Sequence, residues 1–202
     1  MTAPPTSPST GPSAGPSTGP STGPSTGPGP SDLRAQVRAA QAPLKQRYRD
    51  DPASARTPLR ARAGFADPGV TATVDTWAGP ARAGLHEATG GDGSDACSGD
   101  MLLEALLACA GVTLRSVALA SGVDVLAATG TAEAVFDARG TLGVDREAPV
   151  GVTDVVVTFD LTLPEDSGVD EEQLARLAAT TERYCVVGRS LREPPRVVVR
   201  RA

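Results

Sequence analysis

SGDMLLEALLACAGVTLRSVA, residues 98–118, is the stretch on which the fold turns. Its leucines, alanines and valines leave hardly a polar side, which predicts a helix buried in a soluble core. As a membrane span it is disfavoured, because Glu104 and Arg115 would each be expensive in lipid. Cys109 lies within this helix. A second sulfur, Cys185, lies far downstream in TERYCVVGRSL, residues 181–191. A thiol in an apolar helix is usually inert packing. Two of them, in a chain with three cysteines, raise the prospect of thiol redox chemistry.

Upstream of the helix, Leu59–Phe65 and Val70–Trp77 alternate about an Ala66-Asp67-Pro68-Gly69 turn signal and predict a hairpin. A third strand is expected at Ala81–His86, and a Gly-, Asp- and Ser-rich loop then leads into the helix. Downstream, Val123–Ala138 and Val152–Leu163 predict two longer strands. Glu171–Tyr184 has helical period, with Leu174, Leu177 and Ala178 on one side. Val186–Leu191 predicts a second short helix and Arg196–Val199 a closing edge strand. The order β-β-β-α-β-β-α-β is an α+β pattern, mainly antiparallel sheet around a long central helix that bears Cys109.

The N-terminal part has a different character. Residues 1–30 are almost entirely Ser, Thr, Gly, Pro and Ala, with PSTG repeating from Pro16 to Gly27. Such a segment has nothing to bury against its ordering entropy, and is expected to be a disordered tail. Residues 31–56 predict a helical extension, capped by Ser31 and divided at Pro43. Residues 57–202 are then one domain of sufficient length for a sizeable core.

Charge and cysteine usage narrow the function classes. A formal charge of −5 with no basic stripe argues against nucleic acid as a partner. The N-terminus lacks the charged and apolar regions of a signal peptide, and a membrane partner is not expected either. Three cysteines do not make a secreted disulfide scaffold, so the cytoplasm is the expected compartment.

Asp100, the run Met101–Ala108, Cys109 and then Thr113, Leu114 and Arg115 resemble the central helix of the OsmC-like family, the osmotically inducible protein C and organic hydroperoxide resistance proteins. The family's second cysteine usually reads Cys-Pro-Val; here Cys185-Val186-Val187 stands in that place, without the proline. The resemblance runs from about Leu59 to Val199. It implies an intertwined homodimer and a thiol peroxidase that reduces organic hydroperoxides, with Cys109 attacking, Cys185 resolving and a lipoyl-type dithiol as reductant. No cofactor and no metal are implied.

One departure stands out. Family members carry an upstream arginine paired with a glutamate at the helix start. Asp100 occupies the glutamate position, and Arg82 is the nearest arginine, with His86 at a comparable place. Asp100 and Cys109 are nine residues apart, which puts them on opposite faces of an ideal helix. A thiol in an apolar surround needs help to ionise, and the sequence does not show which group gives it. The alternative reading is a catalytically weak stress protein of the same fold, a small-ligand binder or a redox sensor. Cys97, just before the helix, is either a small packing residue or an alternative resolving thiol. The three cysteines with His86 lack the short spacing of structural zinc sites.

Overall fold

One face of a single long helix organises the core. In the computed structural model, which describes residues 29–202, α2 (Ser98–Ser121) buries Leu106, Ala110, Leu114 and Ala118. These residues recur every four positions and so form one stripe. Against them pack Val155, Val157, Phe159 and Leu161, the inward residues of an alternating strand, with Val197 and Val199 beside them. Leu174, Leu177 and Ala178 close the same cluster from a second helix. Each such aliphatic side chain contributes about 1.5–3 kcal/mol when fully buried.

The other elements are α1 (Pro30–Asp50), β1 (Ala63–Gly64), β2 (Ala72–Thr76), β3 (Gly79–Gly84) and β4 (Ala96–Cys97), all before α2. After it come β5 (Ala127–Phe136), α3 (Ala138–Thr141), β6 (Val152–Thr162), α4 (Glu171–Tyr184), α5 (Val186–Ser190) and β7 (Arg196–Arg201). The α+β class holds, and the strands divide into two sheets, ordered β1-β2-β3-β4 and β5-β6-β7. Both sheets are mixed: β3–β4 and β6–β7 pair parallel, while β1–β2, β2–β3 and β5–β6 pair antiparallel. The parallel β7 follows from α4 and α5, which return the chain across the sheet before it pairs.

Several local expectations are corrected. The strand expected over Leu59–Phe65 contracts to Ala63–Gly64, because its alanines and arginines remain exposed and nothing rewards a longer ladder. The extension is one helix rather than two, running unbroken through Pro43. Pro43 removes only its own bond to the Ala39 carbonyl, which water can satisfy on a helix with no buried residue. Gly29 rather than Ser31 is the N-cap, with Pro30 at the first helical position. The tail, apart from Gly29 and Pro30, lies outside the described residues.

The two sheets differ in burial. The β5-β6-β7 sheet carries the core, whereas no residue of β1–β4 is buried, and Trp77 at the β2–β3 turn is fully exposed. Close packing of α2 on the core sheet requires glycine at one point. A Cβ at Gly130 would lie 2.7 Å from the Phe159 ring and 3.0 Å from Leu107.

Candidate functional site

The local chain around Cys185 is built for a turn between two helices. Asp170 starts α4 with a reciprocal cap: the Gln173 amide donates to Asp170 Oδ1 at 2.7 Å, and the Asp170 amide to Gln173 Oε1 at 3.0 Å. Fifteen residues later Cys185 closes that helix, its amide bonding the Thr181 carbonyl at 2.9 Å. The same residue opens α5, accepting the Arg189 amide on its carbonyl at 2.9 Å and the Gly188 amide on its sulfur at 3.4 Å. Gly188 is buried against Pro195, where a Cβ would approach within 3.1 Å. Cys185 is 1% exposed.

Cys109 meets this junction from α2. It flanks the buried stripe, half-covered and packed against the cluster that holds Cys185, whose thiol favours its charged form. The amides of Val187 and Val186, at the first turn of α5, favour it too, and the Thr113 hydroxyl donates to the Cys109 carbonyl at 2.8 Å. Burial pushes the Cys109 thiol up, but the Val187 amide, the Cys185 thiol, the Val186 amide and Thr113 together outweigh it. The net result lies below the ordinary thiol range. Cys185 moves the other way: burial dominates and raises it, the Gly188 amide opposes, and the charge forming on Cys109 raises it further. Of the pair, Cys109 therefore ionises first, and Cys185 remains the proton donor.

The geometry separates the other expected residues from this pair. Asp100 is exposed in the first turn of α2, half a turn out of phase with Cys109. Arg82 is committed elsewhere, its Nε 3.0 Å from Asp95 Oδ1. His86 caps a short 3-10 turn, accepting the Ala88 amide on Nδ1 at 3.0 Å, with its ring edge-on to Phe136 at 5.1 Å. Cys97 precedes α2, twelve residues and so about 18 Å of helix rise from Cys109. Within one chain it cannot resolve a Cys109 sulfenic acid. No cluster of three or more His, Cys, Asp or Glu that could hold a metal occurs among the described residues.

The help that the sequence leaves unassigned comes in large part from backbone amides. Amides carry no letter in a sequence. The usable signal was Gly188, three residues after Cys185, where a sulfur cap on a helix start needs a close backbone. Near the two cysteines in the chain, Val112, three residues after Cys109 on α2, and Val186 beside Cys185 are both largely exposed.

The model of the OsmC-like protein family matches residues 91–200. No curated protein matches the sequence. Among solved structures, an OsmC-like protein of unknown function from Vibrio cholerae superposes with a TM-score of 0.58 at 14% identity, over 73% of this chain and 100% of that one. An organic hydroperoxide resistance protein from Elizabethkingia anophelis gives 0.54 at 16% identity, over 73% and 98%. The organic hydroperoxide resistance protein OsmC from Legionella pneumophila gives 0.51 at 17%, again over 73% and 98%. At these identities the likeness is one of fold.

Proposed function

The chain belongs to the OsmC-like protein family, and from that premise we propose that it is a cysteine-based thiol peroxidase reducing organic hydroperoxides in oxidative-stress defence. The observation that carries the reading is the placement of Cys109 against the buried cluster that holds Cys185, with the acidities of the two thiols pushed apart. In the proposed cycle the Cys109 thiolate attacks the distal oxygen of ROOH. The O–O bond breaks, the alkoxide leaves and takes up a proton as ROH, and Cys109 becomes a sulfenic acid. Cys185 then displaces water from that sulfur, giving the Cys109–Cys185 disulfide. A dithiol of lipoyl type restores both thiols, becoming a cyclic disulfide itself. Such a cycle needs a reducing compartment, and we place it in the cytoplasm.

The exposed Val112 and Val186 support an alkyl hydroperoxide over hydrogen peroxide, because each methylene buried against such side chains contributes about 0.8 kcal/mol. We further propose a homodimer, with neither nucleic acid nor membrane as partner. The β1–β4 sheet without a buried residue and the uncovered Val112 face of α2 support a second copy closing both. Sedimentation at micromolar concentration checks it, and a mass equal to the 20.4 kDa chain would refute it.

A second reading has one observation in its favour: the leading contacts on Cys109 include no arginine. It is a catalytically weak relative, a ligand binder or a sensor oxidised once per chain. Turnover of cumene hydroperoxide with dihydrolipoamide separates them. The peroxidase consumes many equivalents and loses this with Cys109→Ser; consumption of one equivalent or none selects the alternative.

A further inference from the structure

The helix α1 runs for 21 residues without burying one of them. In water a helix is held mainly by the packing of an apolar face, and α1 has such a face to pack. Val37, Leu44 and Tyr48 fall within about 40° of one another around its axis. Arg38, Lys45 and Arg49 form a second row about 100° further round. Read along the chain these charges make no basic stripe; winding into a helix makes one. Within its own chain α1 meets the end of α2 with its first turns, where the Arg34 guanidinium lies 3.3 Å from the place of a Cβ on Gly122.

A matching surface lies on α4. Glu171, Ala175, Ala179 and Glu182 follow one another along one side of that helix and, with Val198 of β7, line a groove of about 340 Å³. The groove is apolar along its length and acidic at both ends. Glu171 and Glu182 are eleven residues apart, about 16 Å along the axis and within about 20° of the same side. Arg38 and Arg49 are also eleven apart, so both can reach a glutamate at once.

Charge decides between the kinds of partner. Residues 31–62 carry eight Arg or Lys and three Asp, while residues 63–202 carry eleven Arg or Lys and twenty-one Asp or Glu. An anionic bilayer or a nucleic acid would attract α1 and repel the domain beside it. A second copy of this chain offers α1 an acidic domain instead. We propose that α1 of one copy docks in the α4–β7 groove of a second copy, with Leu44 and Tyr48 on Ala175 and Ala179 and with Arg38 and Arg49 at Glu171 and Glu182. The apolar row supplies the burial, and the ion pairs fix register and partner. Two-fold symmetry makes the exchange reciprocal. The proposal rests on the homodimer reading and adds to it an arm from outside residues 91–200.

Lys45 is the single lysine of the sequence and stands one turn before Arg49 in the same row. A carbodiimide joins its amine to a carboxylate in contact with it. Cross-linking of the full chain should therefore give a band at twice 20.4 kDa, with peptides that link Lys45 to Glu171 or Glu182. Lys45→Arg keeps the charge but cannot be coupled, and should lose that band. So should the double variant Glu171→Gln/Glu182→Gln, with native circular dichroism. A Lys45 link found in the single-mass band alone would place the contact within one chain and overturn the proposal. Absence of the link from a protein that sediments as a dimer would also overturn it, and would leave the homodimer standing. A protein that sediments as single chains would end both. Binding of the full chain to phosphatidylserine vesicles or duplex DNA, without the doubled band, would assign α1 to an anionic surface instead.

Discussion

Cys109 on α2 packs against the buried cluster that holds Cys185 at the α4–α5 junction, and their shared surroundings drive the two thiols apart in acidity. The cause is positional. Cys109 faces the amides of Val187 and Val186, while Cys185 lies behind them, buried, with the Gly188 amide as its own backbone donor. One sulfur is thus prepared to carry charge and the other to keep its proton.

The sign of the pH effect follows. A depressed thiol is already charged at a pH where an unfolded cysteine is not, so Cys109 alkylation should rise to half its maximum below the ordinary thiol range. Cys185 should reach half-maximum above it. Cys185→Ala removes a donor from Cys109, so the Cys109 midpoint should move up in that variant. Equal midpoints for the two cysteines in the parent would contradict the assignment.

Gly130 tests how tightly α2 is seated. An alanine there drives a methyl to 2.7 Å from the ring of Phe159, which is 4% exposed and has little room to give. Gly130→Ala should destabilise the fold by about 1–3 kcal/mol in urea unfolding. An unchanged midpoint would mean that β5 and α2 are less closely packed than this geometry requires.

The cap at Asp170 fixes the start of the helix that ends at Cys185. Asp170→Ala removes the acceptor of the Gln173 amide, and about 1 kcal/mol of stability should go with it. The urea slope should stay the same, since no core residue changes. Gln173→Ala, which breaks the other half of the reciprocal pair, should cost less, because the Asp170 carboxylate still satisfies its amide.

How much of this was legible in the sequence depends on what kind of group did the work. The α2 helix was readable because an unbroken apolar run with Leu106, Ala110, Leu114 and Ala118 in phase has few other ways to be buried. The strands flanking it were readable where side chains alternate, as in Val155, Val157, Phe159 and Leu161. Parallel pairing of β7 was not, because β6 and β7 read alike whichever way they run. At the site, the two cysteines were legible as letters, while the amides beside them were not. The partner of Arg82 did not: Asp95 lies in a loop whose path no periodicity sets. Residues 91–200, where the family model matches, contain both cysteines of the pair, while α1 lies before that range.

Thr181 offers the sharpest stability prediction, because it sets a hydroxyl against its surroundings. It is 0% exposed on α4, one turn before Cys185, and its Oγ1 has no hydrogen-bond partner. A buried hydroxyl without a partner loses its water and gains nothing in return, at a cost of about 1–3 kcal/mol. Valine has nearly the same shape and no such debt, so Thr181→Val should raise stability by about 1 kcal/mol. Urea unfolding of parent and variant measures it. A loss of stability instead would mean that the hydroxyl meets an acceptor in the working protein, and the α4 face beside Cys185 would then be where to seek it.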